Sequence, residues 1–113
     1  MKFLTVFVCA GVLMSAQVAS AQQIVGGYSG VAISDADTIL IAKAAVKMKN
    51  ALRESKKVKL LTVTKAESQV VAGQNFRLCL DVKQAKHKMR VQAVVYRDLS
   101  GKLTLTEWLP KGC

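Results

Sequence analysis

Few residues in this 113-residue chain are of a type that could do covalent chemistry. The one histidine, His87, sits between Lys86 and Lys88, and the three cysteines, Cys9, Cys79 and Cys113, are widely spaced. No CxxC pair occurs, so neither a redox dithiol nor a zinc site is indicated. A cysteine nucleophile needs a base oriented against it, and nothing in the sequence directs His87 toward a thiol. No catalytic residues, no metal ligands and no cofactor are therefore expected, and the chain does not read as an enzyme. There is also no Asn-x-Ser/Thr acceptor for N-linked sugar.

The N-terminus explains one cysteine. Lys2 precedes an uncharged apolar run over residues 3–14, and small residues follow, ending in Ala19-Ser20-Ala21. A positive start, a short apolar stretch and a small-x-small site define a secretory signal peptide. The run is shorter than the roughly 20 residues of a membrane-spanning helix, so no membrane anchor is expected. Cleavage after Ala21 leaves residues 22–113, one domain of 92 residues, destined for the extracellular space. Cys9 departs with the leader, and Cys79 and Cys113 remain as an even pair suited to an oxidising compartment.

Without Lys2 the chain carries 16 Lys and Arg against 7 Asp and Glu, a formal charge of +9. Such a balance favours acidic partners of any kind. Along the sequence the lysines are spread out, and no aromatic residues alternate with them to stack bases. Nucleic acid is therefore not an expected partner.

These residues must be positioned by a small set of elements. The segment from Gln22 through Gly26, Gly27 and Gly30 to about residue 33 reads as a flexible lead, since glycine disfavours regular structure. Ser34 or Asp35 can cap a helix running to about residue 55. Its apolar stripe is Ile41, Ala45, Met48 and Leu52, widened by Ile39, Ala42 and Val46. Residues 58–71 are rich in Val, Thr and Leu and read as a long strand. Alternation then marks three more strands, around Phe76-Leu78-Leu80-Val82, Met89-Val91-Ala93-Val95 and Leu103-Leu105. Turn residues separate them at 72–75, after Lys83, and at 98–101. The expected fold is α+β, one helix packed across an antiparallel sheet of four to five strands.

The first of those turns reads Gln69-Val70-Val71-Ala72-Gly73, a QxVxG pattern, and the lead contains Ile24-Val25-Gly26-Gly27. Together with the leader and the order of helix and strands, these resemble the cystatin family over residues 24–109. The resemblance implies a cystatin domain at 22–113 acting as a reversible, tight-binding inhibitor of papain-like cysteine endopeptidases of the cathepsin type. In that family an N-terminal trunk and two hairpin loops enter the protease cleft. Carried over, Ile24 and Val25 fill apolar subsites, and Gly26 lets the trunk pass close to the wall. Gln69, Val70, Val71, Ala72 and Gly73 form the central loop, and Leu99 and Ser100 belong to the second.

Two parts of the family pattern differ. The Pro-Trp pair usual in the second loop is replaced by Arg97-Asp98-Leu99-Ser100-Gly101, and the legumain-directed Ser-Asn-Asp is replaced by Leu52-Arg53-Glu54. In secreted relatives a cysteine on the fourth strand bonds one near the C-terminus, whereas Cys79 lies one strand earlier. Two strands span roughly 10 Å, beyond a disulfide's reach of about 7 Å, so a Cys79–Cys113 bridge requires the tail to leave the sheet at Pro110 and Gly112 and cross its outer face. The alternative reading of the high charge is a cationic host-defence or membrane-active protein on a cystatin-like scaffold. The expected state is a monomer. Val71, β-branched at a hairpin tip, suggests a strained loop that a domain-swapped dimer would relieve.

Overall fold

The computed structural model describes residues 27–53 and 56–113. Five strands form one antiparallel sheet in sequential order: β1 (Ser29–Gly30), β2 (Lys59–Val71), β3 (Gly73–Gln84), β4 (His87–Arg97) and β5 (Leu103–Pro110). Helix α1 (Ala36–Asn50) lies across one face. The alternation read from the sequence is the alternation that is buried. Phe76, Leu78, Leu80 and Val82 on β3 and Val91, Ala93 and Val95 on β4 point under the helix, where Ile41, Ala42, Ala45 and Val46 meet them. Arg77, Cys79, Asp81, Arg90 and Gln92 alternate onto the outer face.

The helix is shorter than its sequence pattern suggests. It stops at Asn50, and Leu52 is 54% exposed instead of completing the apolar stripe. The Asn50 side chain accepts from the Val58 amide at 2.8 Å and donates to the Val58 carbonyl at 2.9 Å. A side chain that mimics a strand partner fixes where the chain leaves the helix and enters β2. Asp35 holds the N-cap position without a side-chain capping bond. Asp37 in the first turn and Lys47 and Lys49 in the last suit the helix dipole.

Three further departures concern the strands. The lead contributes structure: Ser29 and Gly30 pair with Ser68 and Glu67, and the Val31 amide donates to the Ala66 carbonyl at 2.9 Å. β2 carries register shifts around Leu61 and Thr64, bulges that increase twist and let a long strand wrap the helix. The first hairpin is also tighter than a 72–75 turn. Val70 pairs with Gln74 and Val71 with Gly73, leaving Ala72 alone at the apex. The left-handed dihedral falls on Gly73, φ +103°, and Val71 remains in the ladder. Val71 therefore has no left-handed dihedral; glycine takes the turn conformation in its place.

Cys79 and Cys113 are bonded, with Cα atoms 5.9 Å apart. Lys111 turns with φ +62°, its amide donating to the Arg90 carbonyl at 3.0 Å, and Gly112 donates to Leu109 at 3.1 Å. The tail then passes over Gln92 to reach β3 on the outer face. A Cβ on Gly112 would stand 2.9 Å from that of Gln92, so the crossing needs a residue without one.

Candidate functional site

The β2–β3 hairpin and the β4–β5 loop stand side by side at one end of the sheet. Register puts Gln74 opposite Arg97, and Gly73, Gln74, Arg97, Asp98, Leu99 and Gly101 line a shared depression. The exposed side chains here are apolar: Val70 is 68% and Leu99 86% exposed, with Ala72 also open to solvent. Isolated exposed apolar residues are ordinary, but here three sit on adjoining loop tips.

Each loop is held from behind. Arg97 faces the helix side, and its guanidinium binds both carboxylate oxygens of Asp37 at 2.9 and 3.1 Å and donates to the Gln74 side chain at 2.7 Å. It also stacks on Phe76, 4.9 Å from the ring centre. One side chain thereby joins the start of α1 to the first hairpin. A fork-shaped donor does this where an ammonium could not. On the opposite face Tyr96 donates its hydroxyl to the Ala72 carbonyl at the apex, and Asn75 donates to the Gln69 side chain at 3.0 Å.

The second loop is organised by Asp98. Its carboxylate accepts from the Ser100 hydroxyl at 2.6 Å and from the Ser100 and Lys102 amides, each at 2.9 Å. Hydrogen bonds to the ionised form, from Ser100 above all and then from the Lys102 amide, hold the carboxyl below its ordinary value. Gly101 takes φ +93° to close the turn. Ser100 is thus an internal brace, and Leu99 is what the loop presents.

The antiparallel register of β1 carries the chain upstream of Ser29 toward the Gln69 end of β2. Tyr28 is fixed there, its ring 4.0 Å from the Arg77 guanidinium. Arg77 also pairs with Glu67 at 2.8 Å, a bond that lowers the carboxyl below its usual range and raises the guanidinium. Ile24, Val25 and Gly26 lie outside the described residues, as do the segment read as a signal peptide, 1–21, and Cys9 within it. Of the sequence-derived candidates, the structure brings Gln69, Val70, Val71, Ala72 and Gly73 together with Leu99 and Ser100.

Trp108 lies on β5 opposite Ala93, packed against the core with Lys49 above its ring, and has no part in the second loop. Sequence reading missed the supports Asp37, Gln74, Arg77, Tyr96 and Arg97. Asp37 and Arg97 are sixty residues apart, and only the fold makes them neighbours. Among the described residues no three His, Cys, Asp or Glu are placed to hold a metal ion. No described helix is long and apolar enough to cross a membrane.

One helix laid over a sequential antiparallel sheet, with paired loops projecting at one end, defines a small α+β domain with a presented edge. The family model of the cystatin domain matches residues 26–108, and the chain belongs to the cystatin family. Its fold is similar to that of a salivary cystatin from the soft tick Ornithodoros moubata, with 19% identity and TM-score 0.63 over 76% of this chain and 97% of that one. It is similar too to mialostatin, a gut cystatin from the hard tick Ixodes ricinus, with 11% identity and TM-score 0.60 over 75% and 97% of the two chains. Mouse fetuin-B matches with 20% identity and TM-score 0.59 over 85% of this chain and 33% of its own. At these identities the likeness concerns the fold. No curated protein sequence matches the chain.

Proposed function

We propose that the protein is a reversible, tight-binding inhibitor of papain-like cysteine endopeptidases and not an enzyme. The observation that carries the reading is the pairing of two loop tips with exposed apolar side chains, Val70 and Ala72 on one (Val71 half-buried between them) and Leu99 on the other, braced from behind by Arg97, Tyr96 and Asp98. Such an edge is ordered before it meets a partner, so little conformational entropy is lost on binding. It offers no cleavable bond to a nucleophile; it occludes. In this reading Ile24, Val25 and Gly26 serve as the trunk that enters the protease's apolar subsites, Gln69 and Gly73 shape the hairpin, and Ser100 braces the loop that presents Leu99. With Leu99 in place of the family's Pro-Trp pair, the second loop supplies less contact area than a tryptophan would, and binding rests more on the first hairpin.

Residues 1–21 act in this reading as a cleaved signal peptide and 22–113 as the secreted, monomeric inhibitor. Titration of papain with the refolded 22–113 chain tests the proposal. Stoichiometric loss of activity is expected, with an inhibition constant little changed by raising salt, because the contact is apolar and exposed charges are screened within about 10 Å at 0.1 M. Undiminished papain activity at micromolar protein would refute it.

A further inference from the structure

Lysines that look dispersed along the sequence converge at the end of the sheet remote from the paired loops. Lys59 on β2 is directly opposite Lys83 on β3, and Lys83 is directly opposite Lys88 on β4. Residues opposite one another share a face, so the three side chains form one row across three strands, about 10 Å from end to end. Alternation from the buried Val82 places the row on the outer face, away from the helix. Lys86 extends it at the turn, next to Ala85 with its φ of +55°.

None of the three lysines makes an ion pair among the described residues. No described carboxylate lies within ion-pair distance of Lys59, Lys83 or Lys86. Asp81, the nearest acidic residue to Lys88 in register, is bonded to Arg90 at 2.7 and 3.3 Å; those bonds chiefly, and the charge of Lys88 least, hold its carboxyl below the ordinary value. Like charges directly opposite one another on neighbouring strands destabilise a sheet. A local rule broken twice in one row, with no described ion pair to any of its three lysines and only the shared charge of Asp81 near Lys88, points to a partner outside the fold.

We infer that the Lys59–Lys83–Lys88 row is a docking surface for a linear sulfated polysaccharide. Charge complementarity requires a polyanion, and the chemistry of the surroundings selects among polyanions. Insertion into a bilayer needs an apolar wedge beside the charge. Here Leu60 and Met89 turn to the core, and Leu61, exposed at its bulge, is a single side chain. Single-stranded nucleic acid needs aromatic platforms. The described aromatics are committed elsewhere: Tyr28 to Arg77, Phe76 to the core, Tyr96 to Ala72 and Trp108 to the helix. The row also consists of lysines, compact point charges without the planar fork suited to bidentate phosphate recognition, and the one guanidinium beside it is bound to Asp81. A flat line of ammonium groups matches a chain of regularly repeated sulfates.

The test uses the protein expressed from the whole sequence, with a heparin decasaccharide as probe. Binding is measured by calorimetry between 0.05 and 0.5 M salt, on the order of the range where counterion release dominates. The triple variant Lys59→Gln, Lys83→Gln, Lys88→Gln is compared with Lys43→Gln, Lys47→Gln, Lys102→Gln, which removes the same charge elsewhere. The row variant is expected to lose on the order of 100-fold in affinity, about fivefold per lysine. Its log–log salt slope is expected to fall by roughly two to three, one for each lost contact. It is also expected to melt no lower than the parent, since the substitutions relieve repulsion. Equal losses in the two variants would overturn the proposal, as would the absence of heparin binding at about 0.15 M salt. Tighter binding to phosphatidylserine vesicles or to a 20-base-pair DNA duplex would overturn the choice of partner.

Discussion

Replacing Gly73 with alanine tests whether the first hairpin is set by its backbone or only decorated by its side chains. At φ +103° an L-residue is strained by about 1–2 kcal/mol. The added Cβ would also press on the Arg97 carbonyl, which is backbone and cannot swing aside, and would stand 2.8 Å from the Tyr96 hydroxyl. Tyr96 must yield and surrender its bond to Ala72, for about 1 kcal/mol more. The sum, about 2–3 kcal/mol, lowers the melting temperature of a domain this size by roughly 8–24 °C. Two other glycines calibrate the figure. Gly101 has φ +93° but open space around its Cβ, so Gly101→Ala carries the dihedral term alone, roughly 4–16 °C. Gly27 has neither strain nor contact, and Gly27→Ala is expected within about 0.5 kcal/mol of the parent. Melting by circular dichroism, followed by papain titration of each variant, reads both effects. Gly73→Ala is expected to melt lowest and to inhibit worst. Coincident melting of Gly73→Ala and Gly101→Ala would refute the argument, because the clash with β4 would then contribute nothing.

Arg97→Gln removes the link between α1 and the hairpin; with the pair partly exposed, a stability loss of roughly 0.5–1.5 kcal/mol is expected, alongside weaker papain inhibition. Arg97→Lys should restore little of either, and full rescue by lysine would show that charge alone sufficed. The Asp98 carboxyl is depressed in the folded state, so its contribution to loop order is present above the ordinary aspartate value near 3.9 and is lost as pH falls through the lower folded value. The Ser100 and Lys102 amide resonances are expected to hold their positions at about pH 4 and to move only below it; movement centred at or above that value would contradict the depression. Cys113→Ser opens a bridge of sequence separation 34 and is expected to cost about 3–4 kcal/mol on the chain-entropy view, measured by denaturant unfolding. A change under about 1 kcal/mol would mean that the tail is held by its backbone bonds to Arg90 and Leu109 without the sulfur bridge.

What the sequence disclosed and what it withheld divide along a physical line. Period-two alternation at residues 76–82 and 89–95 is a local signal of one-sided burial, and those residues are the core. The QxVxG turn was legible through its resemblance to the cystatin pattern, and of its residues Gly73 takes the left-handed dihedral of the turn. The end of the helix was not, because Asn50 stops it by binding the backbone of Val58, eight residues on. Leu52 continues the apolar spacing, yet it lies past the helix end and is exposed. Val71 sits in the middle of the QxVxG pattern, yet register keeps it in the ladder and leaves Ala72 and Gly73 to make the turn. Arg97 and the lysine row were invisible for one reason: each depends on cross-strand register, and register between distant strands leaves no mark on composition.

The bulges at Leu61 and Thr64 bear on how the sheet meets its own copies. Among the described residues the lead covers this side of β2 only from Ala66 to Ser68, so the stretch before it is an edge strand, the kind that recruits further strands into aggregates. A ladder needs a flat, regular partner, and two extra residues in seven break the spacing that another chain would have to follow. Lys59 and Lys65 add charge along the same margin, and β5 on the far side ends in Pro110, which has no amide to offer. With both sides blunted, open-ended strand addition is disfavoured at concentrations where a plain edge would polymerise, and contact with other molecules is left to the loops and lysines at the sheet's two ends.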